Sequence, residues 1–65
     1  MIKMTLLLNH FYGIVYRNVN GTTTVFNGRV VSTGLTFIVI RFMNARGIVV
    51  LRRLLRIRII RFVAI

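Results

Sequence analysis

Apolar and polar positions alternate along much of this chain, and turn signals break the alternation at short intervals. Phe11 to Val19 is an apolar run that ends at Asn20-Gly21, and Thr22 to Ser32 follows. Asn-Gly between two such runs is the strongest local hairpin signal, because both residues tolerate the positive φ of a tight turn. Thr33-Gly34 closes the second run, and Asn44-Ala45-Arg46-Gly47 closes a third. Five strands are predicted, at Tyr12 to Val19, Thr22 to Ser32, Leu35 to Met43, Ile48 to Leu51 and Arg56 to Val63. Short strands at this spacing predict a small all-β barrel.

Three local patterns refine that picture. Asn27-Gly28 lies inside a strand-like run, where a glycine marks a sharp bend or bulge more often than a hairpin. The third strand is apolar on both parities, with Leu35, Phe37, Val39 and Met43 on one face and Ile38, Ile40 and Phe42 on the other. Such a strand is central, or has a partner over its outer face. The last fifteen residues, LRRLLRIRIIRFVAI, place five arginines among large apolar side chains. On a helix, with Arg52 at zero, Arg53, Arg56, Arg58 and Arg61 fall at about 100°, 40°, 240° and 180°, which makes no stripe. As a strand, Arg56 to Ile59 alternates with period two, and Ile60-Arg61-Phe62 resumes after a one-residue slip that a bulge would absorb.

Composition agrees with sheet. Val and Ile supply nine residues each and Thr six, so 24 of 65 residues are β-branched. That favours a pleated sheet over a helix. A chain of 65 residues allows one small domain, expected over 11–65 behind an amino-terminal segment 1–10. Its core is small, since such a chain buries only about 60% of the surface it exposes when unfolded.

Charge then sets the partner. The formal net charge is +10 with no Asp or Glu, so no side-chain salt bridge can form and every basic residue repels the others. Such a chain needs a polyanion, yet at 57% hydrophobic it is too apolar for a disordered basic arm. Arginine outnumbers lysine nine to one, and its planar fork binds phosphate bidentately and stacks on bases. RNA contact is expected of Arg52, Arg53, Arg56 and Arg58, together with Arg29, Arg41, Arg46 and Arg61. A charge run is usually a solvated face, but that ordinary case includes acidic partners. Contacts of this kind grip phosphates and position the protein rather than read base sequence.

Phe26, Phe37, Phe42 and Phe62 are candidates for base stacking, and core packing is the expected role of all four in so small a barrel. Tyr12 and Tyr16 are expected as edge contacts, and Gly28 serves backbone geometry. Without cysteine or carboxylate there is no disulfide, cysteine-zinc or hard-metal site, so neither metal nor cofactor is expected. His10 has no carboxylate to orient it, so catalysis is not expected either. No apolar run reaches the about 20 residues of a membrane-spanning helix. Lys3 before Leu6, Leu7 and Leu8 imitates a signal peptide without a cleavage site.

Val25-Phe26-Asn27-Gly28-Arg29-Val30-Val31, followed by Thr36-Phe37-Ile38-Val39, resembles the bacterial-type large-subunit ribosomal protein number nineteen family. That family carries V-F-E-G-V-V-I, a basic loop and T-F-T-V-R. Val25, Phe26, Gly28 and Val30 match the first motif, and Thr36, Phe37 and Val39 the second. Without a gap, Gly47 then falls on a family glycine, Leu54 on the leucine of P-L-H-S-P, and Arg58-Ile59 on the R-I of the next strand. Gly13-Ile14-Val15 takes the place of G-D-T-V, so the likeness runs from Gly13 to Val63. The chain departs from the family in its shorter, less basic loop, in Asn27 for glutamate, in both missing prolines, and in the absent amino-terminal helix and basic carboxyl-terminal strands.

The resemblance implies a small SH3-like barrel of about five short strands, lacking the family's terminal extensions. It also implies a structural, rRNA-binding constituent of the large ribosomal subunit near the subunit interface. The partners it implies are large-subunit rRNA, small-subunit rRNA through an intersubunit bridge, and neighbouring large-subunit ribosomal proteins, with no small-molecule substrate. Val25, Phe26, Gly28, Phe37, Val39 and Gly47 are the structural positions it marks. So reduced a form suits an organellar, mitochondrial ribosome, and the lack of an Arg- and Ser-rich presequence suits a chain made inside the organelle. Two other readings stand beside it: a cationic membrane-associated peptide with Leu51 to Ile65 as an interfacial helix, and a small structural subunit of another organellar complex.

Overall fold

The computed structural model describes residues 5–65, so Lys3 and the first four positions of the expected amino-terminal segment lie outside the described residues. Five strands run in chain order: β1 (Phe11–Arg17), β2 (Thr23–Thr33), β3 (Phe37–Met43), β4 (Val49–Leu55) and β5 (Ile59–Ala64). All pairings are antiparallel. They make one sheet in the order β4-β3-β2-β1-β5, which leaves β4 and β5 as its two edges. Only the 3₁₀ turn Arg56–Arg58 links those edges. The four Cα steps from Leu55 to Ile59 reach at most about 14 Å, whereas the edges of a flat five-stranded sheet lie about 19 Å apart. The sheet therefore curls, and the fold is all-β and barrel-like, as the strand spacing predicts, with β4 and β5 left unpaired to each other.

The β1–β2 and β3–β4 hairpins are built alike. In each, an asparagine pairs with the residue four positions on, Asn18 N–H with the Thr22 carbonyl (2.7 Å) and Asn44 N–H with the Ile48 carbonyl (2.9 Å). The intervening glycines, Gly21 and Gly47, stand at φ 89° and 79°. This is the three-residue hairpin loop with glycine in the left-handed position, and not a two-residue Asn-Gly turn. The Asn44 side chain fastens its own loop by accepting from the N–H groups of Arg46 and Ile48.

One face of the curled sheet forms the core. Ile14, Val30, Ile38, Ile40 and Leu54 are fully buried, and Leu6, Tyr12, Tyr16, Phe26 and Ile59 complete the cluster, with Phe42 and Phe62 packed against it. Leu6 joins this core from the amino-terminal segment, which also pairs with β2 through Asn9 N–H to the Val30 carbonyl and Val30 N–H to that of His10. Edge-to-face ring contacts run from Tyr16 to Phe26 (6.1 Å) and from Phe26 to Phe42 (5.2 Å).

Several expectations need correction. Tyr12 and Tyr16 are not edge contacts: both rings are buried, and their hydroxyls accept hydrogen bonds from the N–H groups of Leu7 and Leu55. A buried phenol requires such a partner, and the Tyr16 bond ties β1 to β4 across the interior. Phe37 lies on the outer face, half-buried, because the neighbouring Ile38 and Ile40 take the core side of a strand that is apolar on both parities. Val25 also points outward and is exposed, and Val39 is half-buried on the same face.

The fourth strand runs on to Leu55 rather than stopping at Leu51. An edge strand can carry Arg52 and Arg53 with their heads in water. Arg56 to Arg58 is 3₁₀ rather than strand, since the chain must turn there to reach the other edge. The slip in the last strand is indeed a bulge. Val15 pairs with Arg61 and Tyr16 with Ile59, leaving Ile60 as the extra residue. A second bulge, at Val31, shifts β2 against β3. At Asn27-Gly28 there is no slip against β1. What Gly28 provides is room, since a Cβ there would sit 2.6 Å from the Arg41 carbonyl oxygen.

Candidate nucleic-acid interface

The outer face of the sheet carries cations and apolar side chains together, because residues paired directly across a ladder point to the same side. Arg29 on β2 is paired with Phe11 on β1 and with Arg41 on β3. Arg41 is in turn paired with Leu51, and Val39 with Arg53, on β4. Arg29, Arg41 and Arg53 thus step diagonally across three adjacent strands. Their flanks are aromatic: the Arg29 guanidinium lies 6.0 Å from the centre of the Phe11 ring, and that of Arg53 lies 4.5 Å from the centre of Phe37.

Direct opposition of Arg29 and Arg41 is unfavourable by itself. Like charges facing each other across a ladder cost about 0.2–1 kcal/mol, and no carboxylate side chain exists to relieve them. The register that imposes this opposition follows from core packing, since Val30 and Ile40, the next pair along, are both fully buried. The core therefore holds Arg29 and Arg41 opposite each other on the outer face, with the Arg29 guanidinium beside Phe11.

The remaining arginines divide by position. Arg52, opposite Ile40, faces inward, but its head lies at the surface 5.3 Å from the Phe26 ring centre, closing the end of the core. Arg56 is half-buried, and its Nε donates to the Gly34 carbonyl (2.8 Å), while its N–H donates to that of Thr36 (2.9 Å). Arg56 thus pins the 3₁₀ turn to the β2–β3 turn. Arg58 is half-buried in the same turn. Arg61, opposite Val15, and Arg17 are exposed on the outer face toward the far end of β1. Arg46 is exposed at the tip of the β3–β4 loop.

The patch of Arg29, Arg41 and Arg53 is drawn from the arginines expected to bind RNA, of which Arg46, Arg52, Arg56, Arg58 and Arg61 lie elsewhere. Arg17 escaped notice because nothing in the local sequence distinguishes it. Phe11 escaped because its place beside Arg29 is set by register and not by spacing along the chain.

Beside the arginines the outer face is strongly apolar. Phe11, Val25, Met43, Val49, Leu51, Leu55 and Val63 are all exposed. Near the Arg29–Arg41 pair, β2 leaves β3, and an open depression of about 420 Å³ forms with Gly28 and Phe42 among its lining residues and Met43 and Val49 at its side. Among the described residues no His, Cys, Asp or Glu side chains group as a metal site. No helix among them is long and apolar enough to cross a membrane. None of the family models, curated proteins or solved structures compared with the chain matches it.

Proposed function

We propose that this chain is a structural, rRNA-binding constituent of the large subunit of an organellar, mitochondrial ribosome. The observation that carries the RNA reading is the cross-strand pair Arg29–Arg41, held face to face by the register of a buried core in a chain without acidic residues. Phosphate groups are the anions that such a pair accommodates, and Phe11 and Phe37 beside the arginines suit stacked bases. The ribosomal assignment rests on the resemblance of residues 13–63 to the large-subunit family. Leu54, which falls on that family's leucine, is fully buried.

Mechanistically the protein does no chemistry in this reading. Its arginines neutralise phosphates and release counterions, and the barrel holds them in a fixed array. Purified full-length chain titrated onto large-subunit rRNA at graded salt should lose affinity linearly in log-log form, with a slope set by the number of phosphates contacted. Binding that is insensitive to salt would overturn the proposal.

The apolar outer face favours a second reading, a structural subunit packed among protein neighbours in another assembly. Both readings leave the face covered in the assembled state, and removal of RNA distinguishes them. The interfacial-helix form of the membrane reading is set aside, since 51–65 folds as part of β4, a 3₁₀ turn and β5.

A further inference from the structure

We infer that the depression where β2 parts from β3 is a seat for one unstacked RNA nucleotide, its phosphate between Arg29 and Arg41 and its base against the apolar wall beyond them. This rests on the RNA reading above and adds a specific ligand class to it. The seat has a structural origin. Strand β2 pairs with β1 from Thr23 to Arg29 but with β3 only from Arg29 onward, so the β2–β3 ladder ends at Arg29–Arg41 and the depression opens beyond that end. Gly28 lets the two strands cross closely at that end, because its backbone passes where any side chain would strike the Arg41 carbonyl and the Phe42 Cβ.

Phosphate alone would need the two arginines and nothing more. The depression adds an apolar wall of Phe42, Met43 and Val49, with the Phe11 ring at the rim. Its open volume of about 420 Å³ leaves room for one base laid against that wall. At the same rim, the exposed Asn27 side-chain amide makes no hydrogen bond among the described residues. It offers a donor and an acceptor to a base edge. A cationic mouth, an apolar wall and one free amide together match an extruded nucleotide better than a continuous helix, which presents phosphates without accessible base faces.

The test compares ligands first, so that the protein stays unchanged. Full-length chain is titrated with an RNA hairpin carrying one bulged nucleotide, each of the four bases in turn, and with the same hairpin abasic at the bulge. Both RNAs have the same phosphates. The seat predicts that at least one bulged base binds on the order of tenfold more tightly than the abasic form, the size of one stacked base. It also predicts that Met43→Ala, which strips part of the apolar wall, shrinks that difference severalfold while the far-ultraviolet circular dichroism spectrum stays that of the parent. Equal, salt-dependent binding of all the hairpins overturns the seat and leaves the RNA reading standing. Salt-independent or absent binding of every RNA removes both.

Discussion

Replacing Arg41 with glutamate should make the free protein more stable and a poorer RNA binder. Arg41 faces Arg29 across the ladder, so the change turns a repulsive pair into an attractive one. Cross-strand charge pairs are worth about 0.2–1 kcal/mol in either sense, which gives a swing of about 0.4–2 kcal/mol. Coulomb's law at about 7 Å in water gives about 0.6 kcal/mol per pair, hence about 1.2 kcal/mol for the reversal. An unfolding entropy of about 2.1 cal/mol/K per residue over 65 residues makes each kcal/mol worth about 7 °C. The expected rise in Tm is therefore about 5–10 °C, and Arg41→Gln, which removes the repulsion without adding attraction, should give about half. Thermal melts followed by circular dichroism at 10 mM and at 1 M salt check the cause. The Debye length falls from about 30 Å to about 3 Å between them, so the gain should largely vanish at high salt. A gain that persists at 1 M salt, or a variant less stable than the parent at 10 mM, would refute the electrostatic account of this pair.

Other expectations concern individual residues. Phe26→Ala should cost about 3–5 kcal/mol, as emptying a buried aromatic site does, and Phe37→Ala should cost much less because that ring lies half-buried on the outer face; urea titration compares them. Arg56→Ala should lower Tm at every salt concentration through loss of its bond to the Gly34 carbonyl, whereas Arg53→Ala should chiefly weaken RNA binding and reduce its log-log salt slope by about 0.7–0.9. Gly28→Ala should destabilise more than Gly47→Ala. The first places a Cβ 2.6 Å from a backbone oxygen, while the second meets no atom within 4 Å and is strained only by its φ of 79°.

Much of the fold was legible because local signals agreed with the tertiary arrangement. The β-branched runs and the glycines after asparagine mark strands and hairpins through backbone sterics alone. The slip at Ile60 was visible because a change of parity within an alternating run has few structural meanings. Signals failed where parity was silent or burial was decided elsewhere. Phe37 and Ile38 are both apolar, and only packing against β2 and β4 determines which faces inward. Tyr12 and Tyr16 look suited to an edge, yet their hydroxyls find N–H donors inside the barrel. Arg52-Arg53 reads as the end of a strand, although an edge strand accommodates both.

The place of the candidate interface was not legible in the sequence. Charge without carboxylates raises the expectation of a polyanion however the chain folds. That Arg29 meets Arg41 depends on the register between β2 and β3, which the bulge at Val31 adjusts, and no periodicity along the chain reveals it. Arg56 carries the same charge as Arg53 and was expected to act alike. Its position beside the β2–β3 turn also gives it a carbonyl to bind.

The ribosomal proposal is tested most directly by sedimentation. Organelle lysate in high salt and mild detergent would be resolved on a sucrose gradient, with and without ribonuclease, and each fraction searched for this chain by mass spectrometry. The proposal predicts co-sedimentation with the large ribosomal subunit, abolished by ribonuclease. Recovery in a ribonuclease-resistant complex or in the detergent-solubilised membrane fraction would contradict it.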